Sequence, residues 1–121
     1  MILTYPIPPC PISNYPNSTP YPTPLGMAER ALELMLTRVT HRVAFGAPLA
    51  EQGSIKEDIA NARVDINQVR LLCLDTARKM DVQGNKNTKK EIALCKIAAP
   101  RMAKQVIDNA MQAFGGSVVV W

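Results

Sequence analysis

From Ile55 to Met80, apolar or small side chains recur in steps that alternate four and three: Ile55, Ile59, Ala62, Ile66, Val69, Cys73, Thr76 and Met80. Such steps draw one seam along one side of an α-helix, and the alternation is that of helices packed along nearly parallel neighbours. A strand would need period two, which this segment lacks. Ser54-Ile-Lys-Glu57 opens the segment as a capping box, in which hydroxyl and carboxylate would satisfy orphan backbone donors reciprocally. Gly84-Asn85 closes it as a C-cap. About 29 residues at a rise of 1.5 Å predict a helix of roughly 45 Å. A chain of 121 residues holds one such domain, built from helices lying alongside this one.

Two further segments carry the same signal. From about Gly26 to Val43, Ala28, Ala31, Leu32, Met35 and Val39 share one face, with Gly46 and Pro48 as the stop. Thr88-Lys-Lys-Glu91 reads as a second capping box and opens a stripe of Ile92, Cys95, Ala99, Met102, Val106, Ala110 and Ala113. Pro100 falls inside that stripe. Proline kinks a helix interior, but the stripe keeps its phase, which predicts a bend rather than a break. Gly115-Gly116 ends the helix. No strand pattern precedes Val118. The fold class is therefore all-α: three long antiparallel helices of an incomplete four-helix-type bundle. Leu71, Leu74, Ile97 and Ile107 lie off the main stripes and are expected on the surface.

Residues 1–25 have a different composition. They hold eight of the ten prolines, all three tyrosines and no Asp, Glu, Lys or Arg. Proline removes a backbone donor and fixes φ. An extended, disordered proline-rich arm is expected there, interrupted by Pro6, Pro8, Pro9, Pro11, Pro16, Pro20, Pro22 and Pro24. It lacks the basic start and apolar centre of a secretory signal. Residues 26–116 form the helical domain, and 117–121 a short divergent tail.

Several function classes find no support. A net charge of +4 is mild, and aromatics are not interleaved with the basic groups as a single-strand binder requires; no nucleic-acid partner is expected. No apolar run approaches the roughly 20 residues of a membrane span. Cys10, Cys73 and Cys95 are odd in number and widely spaced, so neither a disulfide framework nor a metal site is predicted. Cys73 and Cys95 read as small buried hydrophobes. Asp58, Asp65, Asp75 and Asp108 read as solvated surface charges, and His41 as a helix-end side chain. Lys86, Lys89, Lys90, Lys96, Arg101 and Lys104 read as a solvated helix face.

Two short motifs stand at helix ends. Arg42-Val-Ala-Phe45-Gly46 places a guanidinium and an aromatic ring about one turn apart. An arginine can bridge a pyrophosphate bidentately. Gln112-Ala-Phe-Gly115-Gly116 offers an amide followed by backbone without side chains, which allows close approach to a phosphate or ribose.

The motifs and their flanks form an ordered set: Gly26-Met-Ala-Glu-Arg-Ala-Leu32, Arg42-x-x-Phe45-Gly46-x-Pro-Leu49, Ile59-Ala-x-x-Arg63, Ala98-Ala-Pro-Arg101 and Gln112-x-x-Gly115-Gly116. This set resembles the C-terminal helical domain of acyl-CoA dehydrogenases, over residues 25–116, and most of all the branch fused in animals to a kinase-like phosphotransferase domain. The resemblance implies contact with flavin dinucleotide (FAD). Arg42 and Phe45 would supply contacts from one subunit, with Gln52 and Gly53 at further contact positions. Gln112, Gly115 and Gly116 would supply contacts from the neighbouring subunit. It also implies a homo-oligomer, or assembly with full-length subunits, in a mitochondrial or peroxisomal setting; acyl-CoA would be bound only in the complete enzyme. In the family a Glu or Asp base follows the Gly-Gly motif, and no residue here matches it. The expectation is thus a fragment with cofactor-contact and oligomer residues and no catalytic residue, or else a non-catalytic helical interaction module.

Overall fold

The computed structural model describes residues 22–118 with the exception of Phe45. The expected arm up to Tyr21 and the tail from Val119 lie outside the described residues. Three helices dominate: α1 (Pro22–His41), α2 (Gly53–Gln83) and α3 (Lys89–Phe114). A hairpin of β1 (Val43–Ala44) and β2 (Ala47–Pro48) and a 3-10 turn at Leu49–Glu51 join α1 to α2. A second 3-10 turn, Gly115–Val118, follows α3. Contacts between Arg42 and Phe114, and between Thr76 and Cys95, fix the directions. α1 and α3 run parallel, and α2 runs antiparallel to both.

α1 starts at Pro22, earlier than Gly26, and so takes in Pro22 and Pro24. The first turn of a helix has no intrahelical use for its N–H groups, so proline enters it without losing a bond. The helix ends at His41, ahead of both Gly46 and Pro48. The hairpin contradicts the strand-free reading of this region. Its pairs, Val43 with Pro48 and Ala44 with Ala47, are too short to show an alternation in sequence. Gly46 permits the turn by taking φ 82°, a conformation that glycine adopts without a Cβ clash.

Neither expected capping box forms. α2 begins at Gly53 with Gln52 as its N-cap, at φ −71° and ψ 132°, and no side chain caps it. The preceding 3-10 turn sets this start: the Gln52 N–H is held by the Leu49 carbonyl, leaving Ser54 already inside the helix. Thr88 does stand at the start of α3, yet its hydroxyl donates back to the Gly84 carbonyl at 3.2 Å instead of capping α3. Together with the Asn87 side chain on the Gln83 carbonyl at 2.9 Å, it satisfies the end of α2 across the tight α2–α3 turn. Gly84 and Gly115 both follow a helix at positive φ, but with ψ 159° and ψ −145°. Those values lie near the region that only glycine occupies, outside the left-handed helical cap.

α3 runs unbroken through Pro100. Pro100 and Lys96 are both exposed, so the carbonyl that proline deprives of a donor lies on the solvent side of the helix.

The core lies where the three stripes meet. Leu32, Met35 and Val39 of α1, Ile66 of α2 and Val106 of α3 are its largest fully buried side chains. Ala99, Ala103, Ala110 and Ala113 give α3 a shallow face, and α1 packs along it more extensively than any other pair of elements. Small residues at the contact let two helices approach closely. Thr76 enters the seam because its hydroxyl is satisfied by the Leu72 carbonyl at 2.8 Å and by the Cys95 thiol at 3.2 Å. Leu71, Leu74 and Ile97 are exposed, as their phase requires. Ile107 differs: it is half-buried and packed against the core.

Candidate functional site

The topology gathers one end of the bundle from four pieces of chain: the last turn of α1, the hairpin, the start of α2 and the end of α3. Arg42 stands just past α1. Its backbone N–H closes on the Arg38 carbonyl at 3.0 Å, and its own carbonyl accepts from Leu49 at 2.9 Å across the hairpin. Its position is thus fixed on both sides by backbone. From there its guanidinium reaches α3 and donates to the Phe114 carbonyl at 3.3 Å. The side chain remains exposed. Guanidinium carries five donors, so most of its capacity still faces outward.

Gly115 follows Phe114. A Cβ placed on Gly115 would lie 3.9 Å from the Arg42 Nη1, and one placed on Gly116 would meet nothing. The Gly-Gly turn is therefore open backbone beside a cation. Gln112, one turn earlier on α3, is exposed, and its carbonyl accepts the Gly115 N–H. Gln52 is half-buried at the N-cap of α2, and Gly53 is exposed at its first residue. Phe45 lies outside the described residues.

One chain thus brings Arg42 beside Gly115, with Gln112, Gly116, Gln52 and Gly53 at the same end. The resemblance implies cofactor contacts drawn from two subunits; within one chain the Arg42 guanidinium meets the Phe114 carbonyl beside Gly115. The donor set suits a phosphate-bearing dinucleotide: an exposed guanidinium, an amide, and glycine backbone with room beside it.

Residues that motif reading did not single out complete this end. Arg38 lies one turn before Arg42. Its guanidinium carbon sits 5.6 Å from the centroid of the Phe114 ring, and its Nη2 donates to the Ser117 hydroxyl at 3.4 Å. That hydroxyl donates in turn to the Phe114 carbonyl at 2.7 Å. The i, i+4 spacing of Arg38 and Arg42 on one helix face is the signal by which Arg38 could have been found.

The remaining ionisable groups are placed elsewhere. Glu29 receives Arg63 at 3.0 Å and also Arg70, tying α1 to α2 away from the site. His41 is exposed, with Nδ1 2.7 Å from the Thr37 carbonyl, as a helix-end side chain. Lys79 is half-buried, and its hydrogen bond to Asp75 holds its ammonium above the ordinary lysine range, reinforced by the charge of Asp75. Asp75 and Asp108 are solvated, whereas Asp58 and Asp65 are half-buried in a polar groove with Asn61, Gln105 and Asn109. The groove forms because the residues there that face each other from α2 and α3 are polar and do not close over the core. Among the described residues no group of histidines, cysteines and carboxylates is arranged to hold a metal ion, and no helix is long and apolar enough to cross a membrane.

The sequence profile of the acyl-CoA dehydrogenase C-terminal domain matches residues 22–120. The chain belongs to the acyl-CoA dehydrogenase family. Acyl-CoA dehydrogenase family member 10 of Mus musculus is 56% identical over 93 residues, 77% of this chain and 9% of the relative. Family member 11 of Homo sapiens is 43% identical over 95 residues, 78% of this chain and 12% of the relative. A solved acyl-CoA dehydrogenase structure from Mycobacterium abscessus superposes with a TM-score of 0.80 at 43% identity, covering 83% of this chain and 25% of that one. The chain therefore spans a small fraction of the length of these relatives, and the fraction it spans is the helical C-terminal domain.

Proposed function

We propose that this chain is the cofactor-contacting and assembly part of a flavin-dependent acyl-CoA dehydrogenase. The observation that carries the reading is the position of the Arg42 guanidinium, 3.9 Å from where a Cβ of Gly115 would stand. Arg42 would hold a phosphate of FAD by charge-assisted hydrogen bonds. Gln112 would donate its amide, and the Gly115–Gly116 backbone would let the dinucleotide lie close. Gln52 and Gly53 flank the same end, and Phe45, next to Gly46, completes the motif. In such enzymes a bound flavin accepts a hydride from the acyl chain. The described residues of this chain take no catalytic part in that step; their role is to bind and orient.

Assembly is supported by a second observation. Leu71, Leu74 and Ile97 are 66%, 51% and 58% exposed, large apolar side chains that fit burial against another subunit, whether a second copy or a full-length relative. The binding reading is tested by titrating the chain with FAD and following flavin fluorescence. Saturable binding that Arg42→Ala weakens supports it. Binding indifferent to Arg42, Gln112 and Gly115 would overturn it and leave the assembly role alone.

A further inference from the structure

Two helices end at the candidate site with their carbonyl termini. α1 stops at His41 and α3 at Phe114, and the hydrogen bond from Arg42 to Phe114 shows the two ends adjacent. Each carboxyl terminus carries roughly half a negative charge. Such an end repels a phosphate unless cations stand over it. Arg42 is one such cation. Arg38 is the other, and its contacts differ in kind: it lies over the Phe114 ring, holds the Ser117 hydroxyl, and has a buried Nε without a hydrogen-bond partner among the described residues. An unsatisfied buried donor is a standing free-energy cost. An uncharged side chain of similar length would fill the same space without it. The guanidinium therefore does something that packing alone does not require.

We infer that Arg38 is a positioning residue that fixes the Gly115–Gly116 turn beside Arg42, acting through Phe114 and Ser117. The ring is held under the guanidinium, and the hydroxyl is held between Arg38 and the Phe114 carbonyl. Both residues that flank the two glycines are thereby anchored to α1. The glycines can then be open and unbraced by side chains of their own, while the turn keeps one conformation. Arg38 itself stays beneath the turn, and Arg42 faces outward. The importance of this positioning for the cofactor rests on the binding reading above, but the positioning itself does not.

The test measures amide hydrogen exchange on the full 121-residue chain, comparing wild type with Arg38→Met and Ser117→Ala. Arg38→Met keeps the length of the side chain and removes the guanidinium. It should speed exchange at Gly116 and Ser117 by roughly tenfold while Ile66 and Val106 in the core keep their wild-type rates. Ser117→Ala should reproduce the effect at Gly116 by removing the other half of the contact, and the double variant should add little. Arg38→Lys should not restore the turn, because an ammonium cannot lie flat over the ring. Unchanged exchange at Gly116 in both single variants would overturn the inference. So would an equal acceleration throughout the core, which would make Arg38 a general bundle contact. FAD titration of the same variants separates the two readings. Where wild type binds FAD, Arg38→Met should weaken it about tenfold. A wild type that binds none would overturn the cofactor reading and leave Arg38 to be judged by exchange.

Discussion

Arg42 and Phe114 are joined by a hydrogen bond across 72 residues of chain, guanidinium to carbonyl at 3.3 Å. This contact places two motifs that are distant in sequence at one end of one protomer. On the function proposed above, the two motifs would serve one cofactor from one chain, and that sets what a mixing experiment should show.

Arg42→Ala should weaken FAD binding by about 1.5–3 kcal/mol through loss of a charge-assisted contact, and Gln112→Ala by about 1 kcal/mol through loss of a neutral one. Mixing the two variants should restore nothing, because no protomer then carries both residues. Recovery of wild-type affinity in the mixture, followed by flavin fluorescence, would show instead that each site takes one motif from each subunit.

Leu32 is fully buried in the α1 stripe. Leu32→Ala should cost about 2–5 kcal/mol, the transfer term plus the cavity left behind. Urea unfolding should show a lower midpoint with an unchanged slope. The exposed Leu34, two residues along and on another face of the helix, serves as the control, and Leu34→Ala should stay within about 0.5 kcal/mol.

The glycines divide by backbone. Gly84→Ala should destabilise by about 1–3 kcal/mol, since φ 77° with ψ 159° is a conformation that only glycine holds without strain. Space does not decide the matter, because a Cβ there would meet nothing. Gly53 is helical and equally open, so Gly53→Ala should stabilise by about 0.5–1 kcal/mol. Thermal melts of both variants check the pair of signs.

The chain should self-associate at tens of micromolar through Leu71, Leu74 and Ile97. Sedimentation of a Leu71→Lys, Leu74→Lys variant should show a smaller species than wild type at equal concentration. Identical sedimentation would remove this surface from the interface.

The Lys79–Asp75 pair gives a pH signature with a defined sign. The ammonium is raised above 10.5 by the hydrogen bond and charge of Asp75. A raised folded value stabilises fully below the unfolded value and is lost as pH rises through the folded one. Asp75→Asn should therefore bring the Lys79 titration, followed by NMR of its side chain, back toward 10.5. A Lys79 titration that Asp75→Asn leaves in place would assign the shift to another cause.

The three helices were legible because burial repeats at the helical period. Leu32, Met35 and Val39, Ala62, Ile66 and Val69, and Cys95, Ala99, Met102 and Val106 all follow from spacing alone. The family resemblance was legible as well, since Arg42, Phe45, Gln112 and the two glycines stand in order in the sequence. Ends were less so. Ser54 carries the residue type of a capping box, but the 3-10 turn before it makes Gln52 the N-cap of α2; Thr88 does stand at the N-cap of α3, but its hydroxyl turns back to the Gly84 carbonyl.

What the sequence determined by itself was periodic: the class of fold, the helix count, the buried faces, and the motif residues. What only the tertiary structure decided was which ends meet. A local pattern records how a residue sits on its own helix and carries no term for the direction or depth of another helix. The parallel packing of α1 on the small-residue face of α3 brought Arg42 to Phe114 and Arg38 to Ser117. Those contacts depend on how closely two helices approach, and that distance is set by all the side chains of the interface together.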